Sequence, residues 1–110
     1  MAKKANLKPK ILKTVKAYGE LLKKSGIKVD NLIIYGSYAK GKTKPWSDID
    51  VCVVSSDFGK NWWREETLVA RKAVEIDPAI EAIAYSSQDL AEKYDPLAAQ
   101  IRKTGIEVKI

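Results

Sequence analysis

Leu32-Ile33-Ile34-Tyr35-Gly36-Ser37, ten residues of loop, then Asp48-Ile49-Asp50-Val51-Cys52-Val53-Val54 is the stretch whose reading decides the fold. Two short apolar runs read as strands, and the polar junctions sit at the end of one and the start of the next. Side chains alternate across a strand, so Asp48 and Asp50 share a face, about 7 Å apart along the backbone. Two carboxylates that close repel unless a cation neutralises them. Oxygen-only donors suit Mg²⁺, which keeps waters and binds through one or two carboxylates plus substrate phosphates. Gly36 lets backbone approach a phosphate, and free N–H groups at a turn entering a helix attract anions. A phosphate cradle on one strand end beside metal carboxylates on the next reads as a site for nucleotidyl transfer.

Each of these residues also has a plainer reading. Asp48 and Asp50 can be a solvated strand start, although Asp is disfavoured in strands and both lie beside four apolar residues. Ser37 can cap a turn rather than touch phosphate, and Gly36 can serve turn geometry alone. Lys40, Lys42 and Lys44 can be solvated loop charges or triphosphate contacts. Trp46 can cover a nucleotide base or pack the loop.

Gly36-Ser37-Tyr38-Ala39-Lys40-Gly41 followed by Ser47-Asp48-Ile49-Asp50-Val51 resembles the signature of the DNA polymerase β-like nucleotidyltransferase superfamily, and the chain is similar to its minimal nucleotidyltransferase branch. The resemblance implies a third acid on a later strand before a short helix. Ile80-Glu81-Ala82-Ile83-Ala84-Tyr85-Ser86-Ser87-Gln88-Asp89-Leu90 fits that segment and puts Glu81 in the third-acid position. The family more often has Asp there, and Arg where this chain has Lys40, which keeps the charge but loses the bidentate fork. Asp77 and Asp89 are rival acids, the first before Pro78 and the second at a helix start. By resemblance, Asp48, Asp50 and Glu81 are the catalytic and metal-binding acids of a two-metal Mg²⁺ site, and Gly36, Ser37 and Lys40 hold the triphosphate. ATP is the implied donor and AMP the transferred group. The implied partner is a separately encoded helical HEPN-type protein, neutralised as a toxin by adenylylation of a tyrosine. The alternative is a non-catalytic antitoxin that binds the same partner. Transfer to an antibiotic or to a nucleic-acid end is weaker, because such relatives usually carry an acceptor domain.

Composition narrows the rest. A length of 110 residues suits one domain, 1–110, with one modest core. Twenty Lys+Arg against fourteen Asp+Glu give +6, which attracts nucleotides or other polyanions or simply keeps the surface solvated. Direct nucleic-acid binding is left open. There is no histidine, so acid–base and metal chemistry falls on carboxylates. The single cysteine, Cys52, cannot form an internal disulfide. No apolar run approaches a membrane span, and the basic Met1-to-Lys4 start leads into no signal-like core, so cytoplasm is the default expectation.

Periodicity completes the outline. Leu7, Ile11, Val15, Tyr18 and Leu22 predict an amphipathic helix stopped at Ser25-Gly26. Val29 to Tyr35 and Ile49 to Ser55 predict strands, with one helical turn at Ser37 to Lys40. A helix with Trp62, Val69, Ala73 and Ile76 on its core face and Trp63, Ala70 and Val74 on its shoulder ends before Pro78. Strand Ile80 to Tyr85, a helix capped by Ser86 or Ser87, a helix from Pro96 to Gly105 and an edge strand over Ile106 to Ile110 follow. The order predicts an α/β fold of the nucleotidyltransferase type, a small mixed sheet with helices packed against it.

Overall fold

Helix α1, Pro9–Lys24, begins on a proline whose fixed φ suits the first helical position. Its stripe of Ile11, Val15, Tyr18 and Leu22 is buried, as the spacing predicts. Leu7, expected at the head of that stripe, precedes the helix and packs partly buried on the same core. Gly26, at φ 86°, takes the left-handed turn that ends α1. The computed structural model describes residues 7–110; the basic Met1-to-Lys4 start lies outside them.

The remaining elements are β1 (Asn31–Tyr35), α2 (Ser37–Lys40), β2 (Ile49–Val54), α3 (Trp62–Ile76), β3 (Ile80–Tyr85), α4 (Ser87–Leu90), α5 (Pro96–Thr104) and β4 (Ile106–Glu107). Strand β1 starts two residues later than expected because Asp30 is used in a turn. Its N–H donates to the Val54 carbonyl (2.8 Å), and its carboxylate accepts from the Ser56 N–H (2.6 Å). The last strand is shorter than Ile106 to Ile110: only two residues pair with β1 before the chain leaves the ladder, although the Val108 N–H still reaches the Leu32 carbonyl (2.7 Å).

The sheet order is β3-β2-β1-β4. Strand β1 is antiparallel to both β2 and β4, while β2 and β3 are parallel because α3 carries the chain back between them. Strand alternation divides the core in two. Leu32, Ile34, Ile49, Val51, Val53 and Ala84 face α1 and α3. Ile33, Tyr35, Cys52 and Val54 face α5, with Ile101 buried among them. The Tyr18 hydroxyl, buried between α1 and α3, donates to the Val69 carbonyl (2.7 Å), so the one polar atom of that stripe is satisfied.

One expectation fails. Periodicity puts Trp62 on the core face of α3, but it is 66% exposed, and Trp63 on the shoulder is 73% exposed. Trp62 lies seven residues before buried Val69, so the face is right. The first turn of α3 nevertheless stands beyond the core, whose end is closed by buried Phe58. Asn61 and Glu65 fix that turn: the Asn61 side chain accepts from the Arg64 N–H (3.1 Å), and Glu65 accepts from the N–H groups of Gly59, Lys60 and Asn61.

Candidate active site

Strand register builds the site. Tyr35 on β1 pairs with Asp50 on β2, and Asp50 pairs with Glu81 on β3. Three side chains therefore form one row across the sheet, about 4.8 Å per strand, on the face turned away from α1 and α3. Asp48 lies two residues before Asp50 and shares its parity. Asp48 and Glu81 are exposed, Asp50 is half-buried and Tyr35 is buried.

The row is electrostatically uncompensated. Burial holds the Asp50 carboxyl above the usual carboxylate range, and the charges of Glu81 and Asp48 push it further the same way. The Tyr35 phenol is raised by burial first and then by Asp50. Among the described residues the one ion pair is Lys72–Glu75 (3.4 Å), on α3, so no cation answers these acids. A divalent cation would relieve this crowding, and the donors are all oxygen. No three His, Cys, Asp or Glu residues among those described form a group that could hold a metal ion. The donor set fits a hard cation held by one or two carboxylates and completed by water and phosphate.

Gly36 is required by the acid beside it. Its φ of 74° and ψ of −144° belong to glycine alone, and a Cβ there would collide with Oδ2 of Asp50. The bare backbone lets the chain turn directly over that carboxylate into α2, a junction without a side-chain cap. Ser37 opens α2, half-buried, and Lys40 closes it, exposed. The turn is held by the Lys40 N–H on the Gly36 carbonyl (3.1 Å) and the Lys42 N–H on the Ser37 carbonyl (2.9 Å).

The rival acids are engaged elsewhere. Asp77 accepts from the Ala79 N–H (2.8 Å), and Asp89 completes a capping box with Ser86, the residue that caps α4. The Cys52 thiol is fully buried and pushed up to about 12, which leaves it unreactive near neutrality. Two residues of the region escaped sequence reasoning. Tyr35 could have been found, since it directly precedes Gly36. Glu66 could not: its carboxylate crosses from α3 to accept the Ala84 N–H (2.5 Å) on β3, and no spacing signals that contact.

The comparisons with known proteins match the family and the fold. The family described as nucleotidyltransferase domain matches residues 11–106. Three solved structures share the fold. A candidate nucleotidyltransferase from Sulfolobus solfataricus has a TM-score of 0.67 at 20% identity, over 89% of this chain and 78% of that one. A toxin–antitoxin structure with AMP-PNP has a TM-score of 0.61 at 23% identity, over 89% and 72%. A mutant of the toxin–antitoxin MntA-HpeT has a TM-score of 0.56 at 19% identity, over 86% and 71%. A search of curated proteins finds no match.

Proposed function

The chain belongs to the nucleotidyltransferase domain family, and from that premise we propose that it transfers AMP from ATP, with Mg²⁺, to a tyrosine of a separately encoded helical HEPN-type protein, acting as the antitoxin of that pair. The observation that carries this reading is the row Tyr35–Asp50–Glu81 with Asp48 beside it and bare Gly36 above it. The toxin–antitoxin folds among the structural neighbours support the choice of partner class.

Asp48 and Asp50 would hold Mg²⁺, with Glu81 alongside. The bound metal would supply neutralisation of the phosphates and a lowered pKa for the attacking hydroxyl. Burial, and then the charges of Glu81 and Asp48, raise the Asp50 carboxyl, and a bound cation would act against that shift. Gly36 leaves room for a phosphate against the β1 end, while Ser37 and Lys40 orient the triphosphate. Glu81, exposed at the row's outer end, would accept the proton of an incoming hydroxyl. Positioning and charge stabilisation make up most of what such a site contributes.

A non-catalytic antitoxin is the second reading. In its favour, the third-acid position holds Glu81, where the family more often has Asp. One experiment separates the two. The chain is co-expressed with the HEPN-type product of the neighbouring reading frame, then treated with ATP and Mg²⁺ and followed by sizing and intact mass. Co-elution with a mass gain of one AMP on the partner is expected, and Glu81→Gln should slow that gain about 10²-fold. A complex without mass gain selects the second reading, and separate elution without mass gain overturns both.

A further inference from the structure

The transfer loop has a second side. On the sheet face opposite the carboxylate row, the starts of α1 and β2, the loop before β2 and the turn before β3 border a half-open cleft of about 440 Å³, within the usual range for small-molecule sites of about 300–1,000 Å³. None of Gly36, Ser37, Lys40, Asp48, Asp50 and Glu81 lines it. Its floor is Ile11 and Ile49, both members of the core that faces α1 and α3. Ile49 points there because its neighbours Asp48 and Asp50 point the other way.

The walls are chemically biased. Lys8, Lys10 and Lys44 contribute three cations, and none makes an ion pair among the described residues. The first turn of α1 carries no acidic residue, so Lys8 and Lys10 stand uncompensated where a helix favours negative charge. The one acid of the wall, Asp77, is already engaged with the Ala79 N–H (2.8 Å). Tyr38, Thr43 and Ser47 add hydroxyls. Trp46 does not itself line the cleft; it stands in the chain between wall residues Pro45 and Ser47, 76% exposed, with the Lys44 ammonium 5.7 Å from its ring centroid. Cations and hydroxyls around one concave space, with an exposed indole on the loop that forms one wall, suit a phosphate chain that carries an aromatic base.

We propose that this cleft binds a nucleoside polyphosphate, at a site separate from the transfer row and backed against it through β2. The cleft also reaches the loop that leads to the acids. Ser47 Oγ accepts from the Lys44 N–H (2.8 Å), and the Ser47 N–H donates to the Lys44 carbonyl (3.0 Å). A ligand held by Lys44 and Ser47 therefore tightens the turn that immediately precedes Asp48. The inference goes beyond the transferase reading and does not depend on it.

The test uses EDTA, so that no metal supports binding at the acids. Trp62→Phe plus Trp63→Phe leaves Trp46 as the only indole, because the chain has three tryptophans. In that background, sodium tripolyphosphate and ATP should each change Trp46 emission saturably, and ATP should bind more tightly. Lys8→Gln, Lys10→Gln and Lys44→Gln combined should weaken both by about 100-fold or more. Lys24→Ala, in the last turn of α1 and outside both the cleft and the transfer loop, should leave both within about twofold. Far-UV circular dichroism checks that the triple variant is folded; if it is not, Lys8→Gln plus Lys44→Gln is used, with a loss of about tenfold or more expected. Undiminished binding in the lysine variants overturns the proposal. So does loss of binding in Lys40→Ala alone, which would place the anion at the transfer loop. Displacement by a single-stranded oligonucleotide that binds at least about tenfold tighter than ATP also overturns it, assigning the cleft to nucleic acid instead.

Discussion

On one face of the sheet, β1 and β2 present Leu32, Ile34, Val51 and Val53 to α1 and α3, helices of 16 and 15 residues. On the other face the same strands present Ile33, Cys52 and Val54 to α5, a helix of nine. At 1.5 Å per residue the first pair of helices runs about 22–24 Å and the second cover only about 14 Å. The long helices cover their face except at the cleft beside the starts of α1 and β2. The short one seals one end of its own and leaves the Tyr35–Asp50–Glu81 row at the other. A half-covered sheet thus supplies a rigid floor and an open edge at once, with stability concentrated on the covered face and polar chemistry on the open one.

The sharpest test of that division removes the open-face acids. Asp48→Asn plus Asp50→Asn should lower metal-dependent transfer by at least about 10³-fold, the scale of several kcal/mol of lost charge stabilisation. Without metal, its thermal stability should hold or rise, because Asp50 no longer bears the repulsion of its neighbours. A loss of stability together with activity would mean that the open face also holds the fold.

The reciprocal test cuts the covered face. Leu22 is fully buried in the α1–α3 core, so Leu22→Ala should cost about 2–5 kcal/mol in urea unfolding. Turnover per folded molecule should be unchanged at a temperature where the variant is native. A large turnover defect would show that the two faces are mechanically coupled.

A smaller effect tests how the short cover is anchored. The Tyr85 hydroxyl donates to the Asp95 carboxylate (2.8 Å), and Asp95 also caps α5 through the N–H groups of Leu97 and Ala98. The tyrosine hydrogen bond is the main cause that holds the Asp95 carboxyl below its ordinary value of 3.8. A carboxyl lowered by folding stabilises the native state above its unfolded pKa, and that stabilisation is lost as pH falls through the folded value. Tyr85→Phe should therefore be less stable than the parent near neutrality, with the gap narrowing below about pH 4 as Asp95 protonates in both. Parallel stability curves down to pH 2 would show that this hydrogen bond does not anchor α5.

Much of this was legible in the chain. The α1 stripe, the strand runs and the parity of Asp48 with Asp50 follow from local periodicity, which needs only neighbours three or four residues away in a helix and two in a strand. The α2 turn, the cap at Ser86 and the helix start at Pro96 follow from residue chemistry at fixed offsets, whereas the Asp95 cap went unread. Trp62 shows the limit. Its helical phase is correct, but phase says which side a residue faces and not whether the partner surface extends that far.

The sequence by itself determined the elements, their faces and the Gly-Ser to Asp-x-Asp junction, because each depends on short-range steric and hydrogen-bonding rules. Only the tertiary structure decided that Asp50 pairs with Tyr35 on one side and Glu81 on the other, that its carboxylate fills the space a Gly36 side chain would need, and that lysines from α1 and the loop share a cleft behind them. Those juxtapositions join residues 14 to 31 or more positions apart. They depend on strand register and helix length, which the whole core settles together and no local pattern encodes.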